Sequence, residues 1–241
     1  MEIVYYTSNK LDSIIFEAVQ QQLLRSNLPI VSVSLKPIRF GRNIIVEETP
    51  SILTMYKQIL IGAESSSSDV IFLCEHDVLY HPSHFDFKPS RMDTYYYNVN
   101  VWRWAYLQDW FITYDTIASL SGLCAPRDMV INYYKTKLQY AEEHNLENGR
   151  NPGWARKLGH EPGKSRRRGG LLDEKMDTWK SKYPNIDIRH GRNLTPQKMT
   201  LDSFRRQPAG WREGTFKDIT GWERERVWIG PEYQTRREST G

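Results

Sequence analysis

Apolar and polar positions over the first 75 residues switch between the period of a strand and that of a helix. Residues 2–6 (EIVYY) form a short apolar run that predicts a buried strand, and the polar turn TSNKLD follows it. Asp12 is placed to cap a helix in which Ile15, Val19 and Leu23 share a face with Ile14 and Ala18. The segment PIVSVSL (29–35) alternates as a strand does. After the loop KPIRFGRNI, Thr49 and Pro50 offer an N-cap and a first-turn proline to a second helix, with Ile52, Met55, Tyr56, Ile59, Leu60 and Ala63 as its apolar positions. SSSSD ends that helix, and VIFLC (70–74) predicts the third strand.

Strand, helix, strand, helix, strand with short connections is the pattern of a parallel sheet with right-handed crossovers. Ligands of such sheets bind beyond the carboxyl ends of the strands, which makes neighbours of TSN, KPIRFGRN and the EHD that follows VIFLC. Later regularity is weaker. TYYYNVNVW (94–102) alternates like a strand, SLSGLCAPRD (119–128) reads as a turn, and a helix is expected from about 127 to 144. A basic loop, a short helical piece (172–182) and the segment NIDIRHGRNLT (185–195) come next, and the last fifty residues, rich in Trp, Arg and Gly, read as irregular. No internal repeat and no second-domain linker is visible.

Composition adds bounds. With 241 residues, 39% hydrophobic and 26% charged, the chain is expected to form a globular unit with one main core. No apolar run nears a membrane span, and MEIVYYTSN carries an acid where a signal peptide has basic residues, so the expected location is the cytoplasm, the host's if a phage encodes the protein. Cys74 and Cys124 sit in apolar surroundings without disulfide or zinc spacing, and the sequon at Asn193 reads as chance. Charge is uneven: residues 1–100 hold 8 Lys/Arg and 11 Asp/Glu, whereas residues 101–241 hold 25 and 18. The stretch 150–170 contains seven basic residues and one acid, Glu161, and suits either phosphate contacts or a solvated loop.

The most informative residues stand where the third strand ends. Glu75 and Asp77, one residue apart, fall on one side of an extended chain and together suit a hard cation such as Mg²⁺ or Mn²⁺, which in turn suits a diphosphate. His76, His81 and His84 with Asp77 offer a zinc alternative, which Pro82 disfavours by interrupting any helix that would align His81 and His84.

The segments YYTSN, KPIRFGRNI, VIFLCEHDVLYHPSHF, SGLCAPRD and IDIRHGRNLT resemble, in order and spacing, the small GT-A-fold glycosyltransferases, family-2-like members found in bacteria and phages. The resemblance spans residues 1–200 and implies a single Rossmann-like α/β domain, with a mostly parallel central sheet flanked by helices. Residues 201–241 are then an irregular C-terminal extension. In that fold an acid-x-Asp motif ends a central strand and binds the metal of a nucleotide-diphosphate sugar. Carried over, it implies Glu75, Asp77 and the late His190 as ligands of Mn²⁺ or Mg²⁺, with Glu standing where Asp is commoner. It also implies that Thr7, Ser8, Asn9, Lys36, Arg42, Asn43 and His76 line the donor pocket, and that the donor is a UDP-sugar.

Candidates for the base that deprotonates an acceptor are Glu161, alone among cations, and Asp109 in LQDWF. Trp102 and Trp154 offer stacking surfaces, and Arg166, Arg167 and Arg168 offer charge to an acceptor. A glycan or other small acceptor is the general expectation of the family. The basic second half also suits duplex DNA with a hydroxymethylated base flipped out of the helix. Two other classes remain. A nucleotidyltransferase would show a glycine-rich loop after the first strand, and TSNKLD has no glycine. A noncatalytic nucleic-acid-binding protein would explain the charge but not Glu75, Asp77 and His190.

Overall fold

The computed structural model describes residues 1–146, 161–163, 175–191, 193 and 197–223. Its first half follows the expected alternation: β1 (Glu2–Thr7), α1 (Ser13–Leu24), β2 (Ile30–Ser34), β3 (Arg42–Ile45), α2 (Ile52–Ser65) and β4 (Val70–Glu75). Asp12 caps α1 as expected, its carboxylate accepting from the Ile14 amide at 2.9 Å. At α2 the cap is Ser51 rather than Thr49. The helix begins at Ile52, so it is the Ser51 hydroxyl that accepts from the Thr54 amide (3.0 Å), and Thr49 only supplies its carbonyl to the Thr54 hydroxyl.

The chain then crosses between two sheets. β5 (Val78–Leu79), β6 (Thr94–Asn98), β7 (Val101–Ala105), β8 (Phe111–Thr113) and β9 (Leu123–Pro126) precede α3 (Arg127–Glu143), with β10 (Lys175–Trp179), β11 (Asn185–Arg189) and β12 (Arg212–Gly214) after it. Among the described residues, a seven-stranded sheet runs β10-β6-β9-β4-β1-β2-β3, and a five-stranded sheet runs β12-β8-β7-β11-β5. In the larger sheet β9 alone runs antiparallel to its neighbours, so the sheet is mostly parallel.

Period-two alternation sorts the core into layers. Val4, Tyr6, Ile71, Leu73, Tyr95 and Tyr97 face α2 and α3, where Tyr56, Ile59, Val130 and Tyr134 meet them. Ile3, Tyr5, Phe72, Cys74 and Tyr96 face the other way, toward Ile15, Val19 and Leu23 of α1 and toward Trp104, Phe111, Ile186 and Ile188 of the smaller sheet. The result is a mixed α/β domain whose central, mostly parallel sheet is flanked by helices, as expected. No helix among the described residues is long and apolar enough to cross a membrane.

Several elements differ from expectation. The run 94–102 is two strands, because the buried Asn98 accepts from the Asn100 amide (3.0 Å) and turns the chain out of the larger sheet into the smaller one. The glycine- and proline-marked segment 119–128 contains β9, a fully buried strand inserted between β4 and β6. Residues 175–179 are a strand, not a helix; pairing with β6 at the sheet edge leaves them largely exposed and erases the burial pattern. β3 lies inside the expected loop KPIRFGRNI, also at an edge. The tail up to residue 223 is partly ordered: β12 pairs with β8, and Trp222 donates to the Pro184 carbonyl at 2.7 Å.

Gly62 lets α2 lie directly on β1, since a Cβ there would collide with Val4 Cγ1 and stand 3.2 Å from Val33 Cγ2. Gly62→Val is expected to destabilise the fold by about 1–3 kcal/mol through overpacking. Denaturant unfolding checks this, and an unchanged midpoint would contradict such close helix-sheet contact.

Candidate functional site

β4 belongs to the larger sheet and β5 to the smaller, so Glu75, His76 and Asp77 form the joint between them. Pairing of Tyr6 with Glu75 in register brings the Tyr6 hydroxyl to Glu75 Oε1, to which it donates at 2.7 Å. The Glu75 amide donates to the Tyr80 hydroxyl at 2.8 Å. Asp77 is held from the other sheet. Its carbonyl accepts from the Ile188 amide (2.9 Å), and its carboxylate accepts from Asn193 Nδ2 (2.8 Å) and lies 3.5 Å from His190 Nε2. Asn193 also accepts from the His190 amide at 2.7 Å, which fixes the turn after β11.

These surroundings split the two acids. Burial, reinforced by the negative charge of Asp77, pushes the Glu75 carboxyl up to about 8, against the hydrogen bond from Tyr6. Burial also pushes Asp77 upward, but the hydrogen bond and charge of His190, with His76 and Arg189, outweigh it and hold Asp77 below the usual carboxylate range. The two carboxyls of the turn are therefore pushed in opposite directions, Glu75 up and Asp77 down. Burial lowers His76, whose Nδ1 is buried without a hydrogen-bond partner among the described residues.

The joint forms part of a cleft of about 740 Å³. The larger sheet's side contributes Thr7, Ser8 and Leu35, with Ser51 and Gln58 from the start and middle of α2. Gln58 donates to the carbonyls of Thr7 (2.8 Å) and Val33 (3.1 Å), clamping the ends of β1 and β2 together. The smaller sheet contributes Arg103, Asp187 and Arg189. Asp187 lies 3.4 Å from Arg103 Nε and 3.2 Å from Arg189 Nη1.

Of the residues expected at the site, Thr7, Ser8, Glu75, His76, Asp77 and Glu161 line this cleft, and His190 reaches Asp77. Glu161 is steadied by its neighbour, since the Tyr97 hydroxyl donates to the Pro162 carbonyl at 2.6 Å. Asn9, Lys36, Arg42, Asn43, Asp109 and Trp102 stand outside the cleft lining. Asn9 has a left-handed backbone (φ 56°), and its side chain accepts from the amides of Leu35 (2.8 Å) and Lys36 (3.0 Å), latching two loops. Lys36 is exposed, Asn43 bonds to the hydroxyls of Ser32 and Ser34, and Arg42 bonds to the Ser65 carbonyl. Asp109 accepts from the Phe216 amide (2.8 Å), and the Trp102 ring lies 5.8 Å from the Arg212 guanidinium. Trp154, Arg166, Arg167 and Arg168 lie outside the described residues.

Among the described residues no group of three or more His, Cys, Asp or Glu side chains is arranged to hold a metal ion. The trio Glu75, Asp77 and His190 is therefore not a preformed cage. Asp77 and His190 converge, while Glu75 is turned to Tyr6. This donor set fits a cation that takes its remaining ligands from water and substrate phosphates, as Mg²⁺ commonly does. The zinc alternative finds no support: His84 is fully buried, its Nδ1 within 3.0 Å of Asn98 Nδ2 and 3.1 Å of Asn185 Nδ2, and His81 Nδ1 accepts from the Ser83 amide.

Arg103, Asp187, Arg189 and Asn193 were not singled out from the sequence. A signal existed for two of them: Asp187 and Arg189 stand at alternate positions of the apolar strand NIDIR, on one face, where unpaired charge is costly.

No protein-family model matches the chain, and no curated protein matches it. Among solved structures, it is similar to a glycosyltransferase involved in glycosylation of the major capsid of PBCV-1, at 11% identity and TM-score 0.43, over 74% of this chain and 81% of that one. It is also similar to the glycosyltransferase GlyE of Streptococcus pneumoniae TIGR4, at 11% identity and TM-score 0.32, over 62% of this chain and 39% of that one.

The raised Glu75 sets a pH dependence. Its folded value of about 8 lies above the ordinary 4.5, so the folded state holds the extra proton between the two. The group's contribution to stability is full below 4.5 and declines as pH rises through 8. Calorimetry of metal-free protein is expected to show Tm falling from acid toward pH 8 more steeply in wild type than in Glu75→Gln. Parallel slopes would mean that Glu75 is ionised.

Proposed function

We propose that the chain is a glycosyltransferase that moves a sugar from a nucleotide-diphosphate sugar to an acceptor hydroxyl. The observation that carries this reading is the placement of Asp77 against His190 and Asn193 at the exit of β4 in a 740 Å³ cleft. A cleft of this size suits a nucleotide-linked sugar, and its place beyond the carboxyl ends of β1, β2 and β4 is where open α/β sheets bind ligands.

In this reading Asp77 and His190 hold a divalent cation, which when bound neutralises the charge developing on the departing diphosphate. Asp77 needs no proton removed to serve, because its surroundings keep it charged. Glu75 would orient the turn through its hydrogen bond from Tyr6. Thr7 and Ser8, fixed by the Gln58 clamp, contact the nucleotide. Glu161 takes the proton of the acceptor hydroxyl, the role an inverting transfer requires of a carboxylate. UDP is the nucleotide expected.

A thermal-shift panel of UDP, GDP, CDP and dTDP, each with Mn²⁺ or EDTA, tests the donor side. One nucleotide is expected to stabilise the protein only with metal, by about 2.7 kcal/mol at a concentration a hundredfold above Kd. Asp77→Ala is expected to abolish that shift, and no shift with any nucleotide would overturn the reading. Glu161→Gln is expected to keep the shift while lowering kcat by roughly 10²–10⁴, as for a lost general base. Unchanged turnover would remove Glu161 from the role.

A further inference from the structure

We infer that the smaller-sheet wall of the cleft is an anion site for the acceptor, built from Arg103 and Lys198, so that the acceptor carries a carboxylate or phosphate. This rests on the transferase reading above and extends it to the acceptor's chemistry.

Arg103 is the main observation. It lines the cleft from β7, with its Nε 3.4 Å from Asp187 and its guanidinium carbon 5.3 Å from the centre of the Tyr114 ring. Its Nη1 is buried and has no hydrogen-bond partner among the described residues. A buried cationic donor left unpaired is costly, and beside an open cleft it is satisfied when a ligand brings an acceptor oxygen. Guanidinium geometry matches carboxylate and phosphate oxygens.

Lys198 supplies a second cation. It lines the same cleft with a left-handed backbone (φ 48°), its ammonium 5.3 Å from the centre of the Phe204 ring. Phe204 and Tyr114 pack edge to face with centroids 5.2 Å apart, and Trp211 contacts both. One aromatic cluster thus carries both cations, and the tail residues beyond 197 contribute to it. Asp187 lies against both Arg103 and Arg189, so it is not a dedicated partner of Arg103.

Position assigns the anion to the acceptor. Val78, Asp187 and Arg103 are paired in register across three adjacent strands, so Arg103 stands two strand spacings, about 10 Å, from the acidic joint. Thr7 and Leu35 lie across the joint in the larger sheet, where the nucleotide is placed. The wall with Arg103 is the opposite end of the cleft.

The test uses the full chain and matched neutral and anionic probes: glucose against glucuronate, and glycerol against glycerol 3-phosphate. Each is titrated by NMR with and without UDP and Mn²⁺. One anionic probe is expected to bind roughly tenfold or more tightly than its neutral partner, as a charge-assisted pair supplies. Preference for glucuronate names a carboxylate, and preference for glycerol 3-phosphate names a phosphate. Arg103→Gln is expected to remove the preference, and the exposed Lys198→Gln to weaken it several-fold, with UDP affinity held within about twofold in both because neither serves the donor. Lys198→Gln carries the test if Arg103→Gln fails to fold. Equal binding within both pairs, a preference intact in both variants, or a tenfold loss of UDP affinity would overturn the inference. Failure of all four nucleoside diphosphates to bind wild type would overturn the donor reading instead, while the titrations without nucleotide still decide this one.

Discussion

Two carboxylates one residue apart in a half-buried turn repel each other, and the site is organised around that repulsion. Tyr6 of β1 and Tyr80, just after β5, meet Glu75, while His190 and Asn193, just after β11, meet Asp77, so the two carboxyls are pushed in opposite directions. The same contacts tie the joint to each sheet in turn. Tyr6 joins β1 to the end of β4, and the Asp77 carbonyl joins the start of β5 to β11. Electrostatics of the site and cohesion of the fold are therefore one set of hydrogen bonds, and a substitution at the joint acts on both.

The cleft follows from this joint. Where β4 leaves the larger sheet for the smaller, the sheets diverge, and space opens between the ends of β1 and β2 on one side and β7 and β11 on the other. The two walls differ in chemistry. Hydroxyls and backbone groups clamped by Gln58 make the first, and the Arg103, Asp187 and Arg189 network makes the second. The transferase reading proposed above asks for two substrates with different demands, and the unlike walls suit it.

The βαβαβ half was legible in sequence because each of its elements carries its own periodicity and its pairing is local in the chain. The acidic joint was legible because carboxylates at the exit of an apolar strand are conspicuous. The smaller sheet was not. Its strands are two to five residues long and find partners far along the chain, as β11 does with β7, so no local pattern marks them. Edge strands β3 and β10 lack alternating burial for the same reason that they lack a second neighbour. At the site, Asn193 resembled a chance sequon because its role depends on a fold-back onto Asp77. Asn9, Lys36, Arg42 and Asn43 had the right residue types on the right loops, yet three of them are tied to backbone groups, Asn9 to the Leu35 amide, Asn43 to the Ile38 amide and Arg42 to the Ser65 carbonyl.

The order of synthesis gives the joint a history. β1, β2 and β4 all lie within the first 75 residues and can pair while the chain is still emerging from the ribosome. Glu75 and Asp77 then follow at once, but His190 and Asn193 are made more than a hundred residues later. Until β11 is made, Asp77 lacks both of these partners, whereas Tyr6 and Tyr80 are already present for Glu75. Closing the second sheet is thus the step that brings His190 and Asn193 to the acidic turn, so a turn made early in the chain depends on residues made late.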